Sequence, residues 1–254
     1  MEIRYSELAD NLTASLKLAQ PPVAVCFVDS VPASVPAHRG HAPAGCRFWQ
    51  DGATSTFATS AADHALCAIG LYTHNLGLGP EQQSDLKDAL GIFSDLGYVT
   101  PQDLPLIPVL TKPSKHVVYA PLAQSPLEPD VVLLVVDASQ ALILSEAVQQ
   151  VEQQDAPAMG RPACAVVPQV MNTGRAALSL GCCGARAYLD VLTSNVALFA
   201  LPGAQLAAYT ERIAALARAN SVLATFHQLR RHNVAAGRSP TIRESLYALT
   251  QYQQ

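Results

Sequence analysis

Short apolar runs of strand length recur along the chain, separated by segments in which apolar residues return at helical spacing. An apolar run of about four to eight residues between turn residues is typical of a buried strand, and a return every three to four residues is typical of a helix. The predicted strands are residues 23–28, 54–59, 117–121, 131–137, 163–167, 178–181 and 196–201. The predicted helices are residues 5–18, 82–96, 138–154, 169–177 and 186–192, with shorter ones after Gly45 and over 63–67.

The alternation of strands and helices predicts the fold class. It is typical of βαβ units, so we expect an α/β fold with a mixed sheet flanked by helices. Residues 131–137 and 196–201 are the expected central strands, because both are apolar almost throughout. From Ala204 onward the pattern is helical only. We therefore expect a single domain over residues 1–254, with a sheet-containing core at 1–203 and C-terminal helices at 204–254.

Composition narrows the class of protein. Half of the residues are hydrophobic, 14% are charged and the net charge is −4, so we expect a large core and no nucleic-acid partner. The first residues carry charges where a signal peptide needs an apolar stretch, and no apolar run is long enough to span a bilayer. We expect a cytoplasmic protein without a membrane partner. In that reducing compartment the six cysteines are free thiols, metal ligands or reactive thiols rather than disulfides.

Four segments place cysteines at predicted junctions between elements, where loops from distant parts of an α/β chain converge. These segments are Gly45-Cys46-Arg47-Phe48, His64-Ala65-Leu66-Cys67, Pro162-Ala163-Cys164 and Ser179-Leu180-Gly181-Cys182-Cys183-Gly184-Ala185-Arg186. Cys26 differs, because it lies inside an apolar strand and is interpreted as core. Any single cysteine is more often buried packing than ligand, and no CxxC pair is present. On spacing alone, a metal site and a set of packed thiols both remain open.

The same segments carry a resemblance to a known family. The chain from its N-terminal helix to about Pro202 resembles domain-of-unknown-function family 169, also called ArCR-like, a family without a settled activity. The resemblance rests on Gly45-Cys46-Arg47-Phe48-Trp49, Asp63-His64, Cys67, Gly70, Ser179-Leu180-Gly181-Cys182, Gly184 and Arg186. It implies that Cys46, His64, Cys67, Cys182 and Arg186 belong to a shared pattern. Cys183 is interpreted as an extra cysteine, and the fourth ligand stays open between Cys164, His64 and Cys183.

Thiolates in this number favour an iron–sulfur cluster. A cubane cluster takes up to four cysteines, and they can come from remote segments. We expect a 4Fe–4S cluster on Cys46, Cys67, Cys182 and Cys164, with Arg47 and Arg186 offsetting its negative charge. The expected role is redox, sulfur handling or cofactor maturation, with a redox partner or a small-molecule substrate. Zinc on three cysteines and His64 is the alternative cofactor, in a binding or regulatory module.

A third hypothesis needs no metal. Cys46 beside Arg47 at a helix start is a candidate low-pKa nucleophile, with His64 as its base. The C-terminal helices are a candidate interface for a homo-oligomer. The decisive expectation is geometric: Cys46, Cys67 and Cys182 should meet at one cavity, with Cys164 or His64 as the fourth member and Cys26 elsewhere. If these thiols are instead dispersed among aliphatic side chains, the metal hypothesis fails, and the six cysteines are core residues.

Overall fold

The computed structural model describes residues 4–40, 42, 44–64 and 66–252. Its α-helices are α1 (Tyr5–Leu16), α2 (Cys46–Gly52), α3 (Ala68–Thr73), α4 (Pro80–Asp95), α5 (Ala138–Glu152), α6 (Val166–Thr173), α7 (Leu206–Ala235) and α8 (Ile242–Tyr252). Its strands are β1 (Val23–Val28), β2 (Phe57–Ser60), β3 (His116–Pro121), β4 (Val131–Asp137), β5 (Ala158–Met159), β6 (Ala177–Ser179) and β7 (Val196–Pro202). The predicted α/β class, with a helical C-terminus, is confirmed.

The strands form one seven-stranded mixed sheet in the order β2-β3-β1-β4-β7-β6-β5. β4 and β7 lie inside it, as predicted, and pair antiparallel from Val131 opposite Pro202 to Asp137 opposite Val196. Most neighbours are antiparallel, and the parallel pair among the described strands is β5 with β6. Alternation along the chain does not set strand direction, so the βαβ expectation fails for most of the sheet.

The strand predicted at residues 163–167 is wrong. The chain forms a 3₁₀ turn at Ala163–Ala165 and then enters α6, and this segment is buried throughout. A short apolar run surrounded by core carries no polar face, so its periodicity cannot separate a strand from a buried helix. The helix predicted over 63–67 is also displaced: a 3₁₀ turn ends at His64, and α3 begins after Cys67.

The two faces of the sheet bury separate cores, because successive side chains of a strand point to opposite sides. On one face α1, α5 and α7 pack around Leu12, Leu144 and Tyr209. On the other face Phe48 and Tyr119 belong to the core that also contains two of the cysteines. Each fully buried large apolar side chain contributes about 1.5–3 kcal/mol, so both layers hold the sheet in place.

α4 lies outside both cores. It begins with Pro80 directly after Gly79, a favourable helix start, and none of its residues is buried. It packs against α3, and its apolar side chains Leu86, Leu90 and Phe93 line a cavity on the cysteine side of the sheet. Among the described residues, no helix combines the length and the apolar character needed to cross a membrane.

Candidate functional site

Four cysteines from distant parts of the chain line one cavity of ≈ 240 Å³. Cys46 is the first residue of α2, and Cys67 directly precedes α3. Cys164 lies in the 3₁₀ turn before α6, and Cys182 lies in the loop after β6. The structure thus brings together the four thiols that the sequence singled out as ligands. Cys26 packs elsewhere, with Val35, Ala58 and Val118, as the sequence analysis expected of a core cysteine.

The buried thiols are neutral as they stand. Burial raises the pKa of Cys46 well above its usual value, and the neighbouring Cys164, Cys67 and Cys182 add to the shift. Burial also raises the pKa of Cys164 and of Cys67. Backbone N–H groups of Gly45 and Gly70 oppose the shift at Cys67 by hydrogen bonding to its sulfur. A buried thiol held neutral is a poor nucleophile, so this geometry does not favour the metal-free nucleophile hypothesis for Cys46.

The thiols share a cavity without forming a compact donor set. Within the described part of the chain, no group of three or more His, Cys, Asp or Glu side chains is arranged to hold a metal ion. A single tetrahedral zinc needs sulfurs roughly 3.8 Å apart. A cubane cluster spans roughly 6–7 Å between its ligand sulfurs. The described donors are therefore not gathered into the tight shell that a single bound ion requires.

His64 is fully buried beside Cys67, and its protonation follows from its partners. Its Nε2 lies 3.2 Å from Thr59 Oγ1, and that hydroxyl donates to the carbonyl of Val117. Since the hydroxyl has one proton, Nε2 must be the donor and Nδ1 carries the lone pair. Nδ1 has no hydrogen-bond partner among the described residues. Burial lowers the pKa of His64 to about 3, with His74 and His38 adding to the shift, so the ring is neutral and its Nδ1 can bind a metal.

Two glycines make room around this histidine and Cys67. A Cβ on Gly70 would lie 2.9 Å from Cys67 Sγ and 3.9 Å from His64 Nδ1. A Cβ on Gly45 would lie 3.1 Å from His64 Nδ1. The distances of 2.9 Å and 3.1 Å are shorter than an ordinary van der Waals contact. A side chain at Gly70 would displace the sulfur of Cys67, and one at Gly45 would displace the ring of His64. Glycine at 45 and 70 is a packing requirement of the site.

Two further buried polar groups were missed by the sequence analysis. His74 follows α3 and is buried; burial lowers its pKa to about 4, and the backbone of Cys164 opposes the shift. Its ring centroid lies 6.1 Å from that of His64. The hydroxyl of Tyr119 is unpartnered in the described structure, and its pKa is raised by burial and then by Cys46, Cys164 and Cys67. Nothing in the local sequence distinguishes Tyr119 from an ordinary strand residue, because the sheet alone turns it toward the thiols.

The two arginines that were predicted to offset the negative charge of a cluster make other contacts in the structure. Arg47 Nε lies 3.0 Å from Asp51 on the outer side of α2. The guanidinium of Arg186 donates to backbone carbonyls of the loop around it, including those of Leu180 and Val196. Neither is among the residues that line the cavity. Arg186 thus fixes the loop that carries Cys182, a positioning role that its sequence proximity to this cysteine did not reveal.

Arg161 lines the cavity instead. Its guanidinium carbon lies 3.9 Å from the centre of the Tyr98 ring, within the range of a cation–π contact. Cys183 also lines the cavity, but its side chain is exposed. Its backbone N–H donates to Tyr98 Oη, with 3.4 Å between nitrogen and oxygen. Arg161 sits beside Pro162 and Cys164 in sequence, which is the one signal that would have pointed to it.

Comparison with known proteins identifies a family and no activity. The family model for domain-of-unknown-function family 169, described as uncharacterised ArCR, matches residues 11–212. The match contains Cys46, Cys67, Cys164 and Cys182 and ends within α7. Neither the curated proteins nor the solved structures contain a significant match.

Proposed function

Because this chain belongs to domain-of-unknown-function family 169, whose description gives no activity, we propose its function from its own residues. The protein binds an iron–sulfur cluster, most simply 4Fe–4S, through Cys46, Cys67, Cys164 and Cys182. The observation that carries the proposal is that thiols from four remote segments line one cavity. Chance packing gives no reason for such a meeting. The proposed role is redox, sulfur handling or cofactor maturation.

The surroundings of the thiols support a cluster for electrostatic reasons. Burial raises the pKa values of Cys46, Cys67 and Cys164, so these thiols gain little from ionising alone, whereas a cationic iron core stabilises their thiolates and releases the protons. The Gly45 and Gly70 amides that hydrogen-bond to Cys67 would stabilise negative charge on its sulfur. The unpartnered Tyr119 hydroxyl supplies a further donor near the thiols.

The alternative cofactor is zinc, and the fourth ligand distinguishes the two. His64 presents an unpartnered Nδ1 and fits a zinc site with three cysteines. However, the described donors are not gathered into one coordination shell, so zinc and a cluster would both need the surrounding loops to adjust. Cys164, already on the cavity wall, completes four sulfurs without His64. This difference favours the cluster.

Localisation and assembly belong to the same proposal. A cluster of this kind suits a reducing cytoplasm, in which its free thiols stay reduced before loading. The C-terminal helices expose Leu223, Val234 and Ile242, and these side chains would form the interface of a homo-oligomer. A redox partner or a small-molecule substrate would approach from the cavity side of the sheet.

Anaerobic purification with iron, sulfide and zinc analysis tests the proposal. We expect brown protein with broad visible absorption and about four iron and four labile sulfide per chain. Colourless protein with one zinc per chain would overturn the cluster and support the zinc alternative. Colourless protein without metal, even after anaerobic reconstitution with iron and sulfide, would leave a thiol-based module.

A further inference from the structure

The cavity of ≈ 240 Å³ that the cysteines line also has an apolar wall, the apolar chamber, so a cluster and a further ligand would share one space. Beyond the thiols its wall consists of side chains from α3, α4 and the segment after α4, among them Ile69, Leu86, Leu90, Phe93 and Ile107. An apolar cavity of about 150 Å³ can bind a molecule the size of benzene. A chamber of this kind excludes a sugar or a nucleotide, and it takes a hydrophobic ligand.

Arg161, an exposed residue, is the one Lys or Arg among the described residues that line the chamber. Arg161 lines both this cavity and an adjoining, more open one of ≈ 440 Å³. Tyr98 supports the flat side of the guanidinium, and this contact leaves its N–H edges free for a partner. Among the described residues, no carboxylate lies within ion-pair distance of Arg161. Asp103 lines the more open cavity together with Arg161, and its pKa is lowered first by hydrogen bonds from the backbone N–H and the hydroxyl of Thr100 and then by the charge of Arg161.

α4 is the element that would admit a ligand. None of its residues is buried, yet its apolar side chains close one wall of the chamber. Its neighbour in the fold is α3, and Gln83 bonds to the carbonyl of Leu78 within the same segment. A helix with so little buried surface opens at low cost compared with the sheet and its cores.

We propose that this chamber binds a medium-chain aliphatic monocarboxylate, with its carboxylate on Arg161 and its hydrocarbon tail in the apolar chamber. The inference extends the proposed function, since it places a substrate or effector beside the thiols. Charge decides the orientation, because a cluster with thiolate ligands is negative and would repel a carboxylate at the inner end. Arg161 and the apolar wall select for an acid with a hydrocarbon chain over an alcohol or a short polar acid.

Calorimetric titration of the anaerobically purified full chain tests this inference, with octanoate and 1-octanol as the probes. We expect octanoate to bind and Arg161→Gln to weaken it by about 10-fold or more, because a charge-assisted pair is lost. Binding of 1-octanol should not change in this variant. Arg218→Gln, on the exposed surface of α7 on the other face of the sheet, is the matched control and should bind both probes as the wild type does.

A second variant tests the chamber itself. Leu90→Trp fills the cavity from the side of α4 and should weaken both octanoate and 1-octanol. The inference is overturned if octanoate does not bind, or if Arg161→Gln binds it as tightly as the wild type. Iron and sulfide content, measured on the same samples, separates the two proposals. If protein that contains the cluster does not bind octanoate, only the ligand proposal is wrong. If protein that cannot take up iron and sulfide still binds octanoate, only the cluster proposal is wrong.

Discussion

The hydroxyl of Thr73 lies 3.4 Å from Cys164 Sγ inside the core, and it also donates to the carbonyl of Gly70. Since a hydroxyl has one proton, the neutral Cys164 thiol is the donor in this contact. A thiolate cannot donate. When Cys164 ligates metal, the Thr73 hydroxyl must therefore turn and donate to the sulfur, leaving Gly70.

Replacing Thr73 by Val should lower the midpoint potential of the bound cluster. Hydrogen bonds to ligand sulfur stabilise the more negative, reduced state, so their loss favours the oxidised one. Spectroelectrochemical titration measures the shift. Thr73→Ser keeps the hydroxyl and should have the midpoint potential of the wild type. Thr210→Val removes another buried hydroxyl, in α7 on the opposite face, and should leave the potential unchanged. Equal potentials in Thr73→Val and the wild type would contradict the proposed contact.

Serine substitutions separate ligands from packed cysteines. Cys46→Ser, Cys67→Ser, Cys164→Ser and Cys182→Ser should each lose most of their iron and labile sulfide, because a serine hydroxyl is a poor ligand for iron. Cys26→Ser is the control, because Cys26 packs in a separate hydrophobic group away from the cavity. The iron content of this variant should match that of the wild type. Retention of iron in two or more of the first four variants would remove those residues from the proposed ligand set.

Acid should destabilise the metal-free protein through its buried histidines. In the unfolded chain both take up protons near pH 6.5, but burial lowers the pKa to about 3 for His64 and about 4 for His74. Their stabilisation is therefore present above pH 6.5 and is lost as pH falls toward those values, by about 1.4 kcal/mol per pH unit for each histidine.

Substitution of His74 tests this pH dependence. Denaturant unfolding between pH 7.5 and pH 4.5 should show a shallower loss of stability in His74→Phe, because one of the two titrating groups is gone. Phe keeps the aromatic contact with Phe27 but is larger than His, so the test compares the change of stability with pH and not its absolute value. His232→Gln, exposed on α7, should follow the wild-type curve. A wild-type slope in His74→Phe would mean that its ring is not held neutral.

Two helix glycines form a matched pair for the packing of the site. Gly70→Ala places a Cβ 2.9 Å from Cys67 Sγ, so we expect loss of bound iron and a lower melting temperature. Gly91→Ala, in α4, meets nothing within 4 Å and should be neutral or stabilising by about 0.5–1 kcal/mol. Melting temperature and iron content of the two variants, measured side by side, give the comparison. Full iron retention in Gly70→Ala would show that the sulfur can shift without cost.

Local patterns were enough for most elements of the fold. The apolar runs that became β1, β4 and β7 and the helical spacing of α1 and α5 were read correctly, because each buries one regular face or lies wholly inside. The local pattern gave the wrong element at residues 163–167. This segment is buried on all sides, so it has no polar positions whose spacing would distinguish a helix from a strand. Strand direction was also out of reach, since it depends on which distant segments pair.

The sequence by itself determined which cysteines sit at junctions and that Cys26 does not, because turn residues flank the former and apolar residues the latter. Only the tertiary structure decided that four of those thiols share a cavity, that Arg161 lines it, and that Arg47 and Arg186 bind elsewhere. It also placed Tyr119 near the thiols and the ring of His74 near that of His64. The physical reason is that turns and buried strands depend on residues that are adjacent in the sequence. A shared cavity depends on the packing of distant segments, and the sequence of one segment does not indicate which others it will contact.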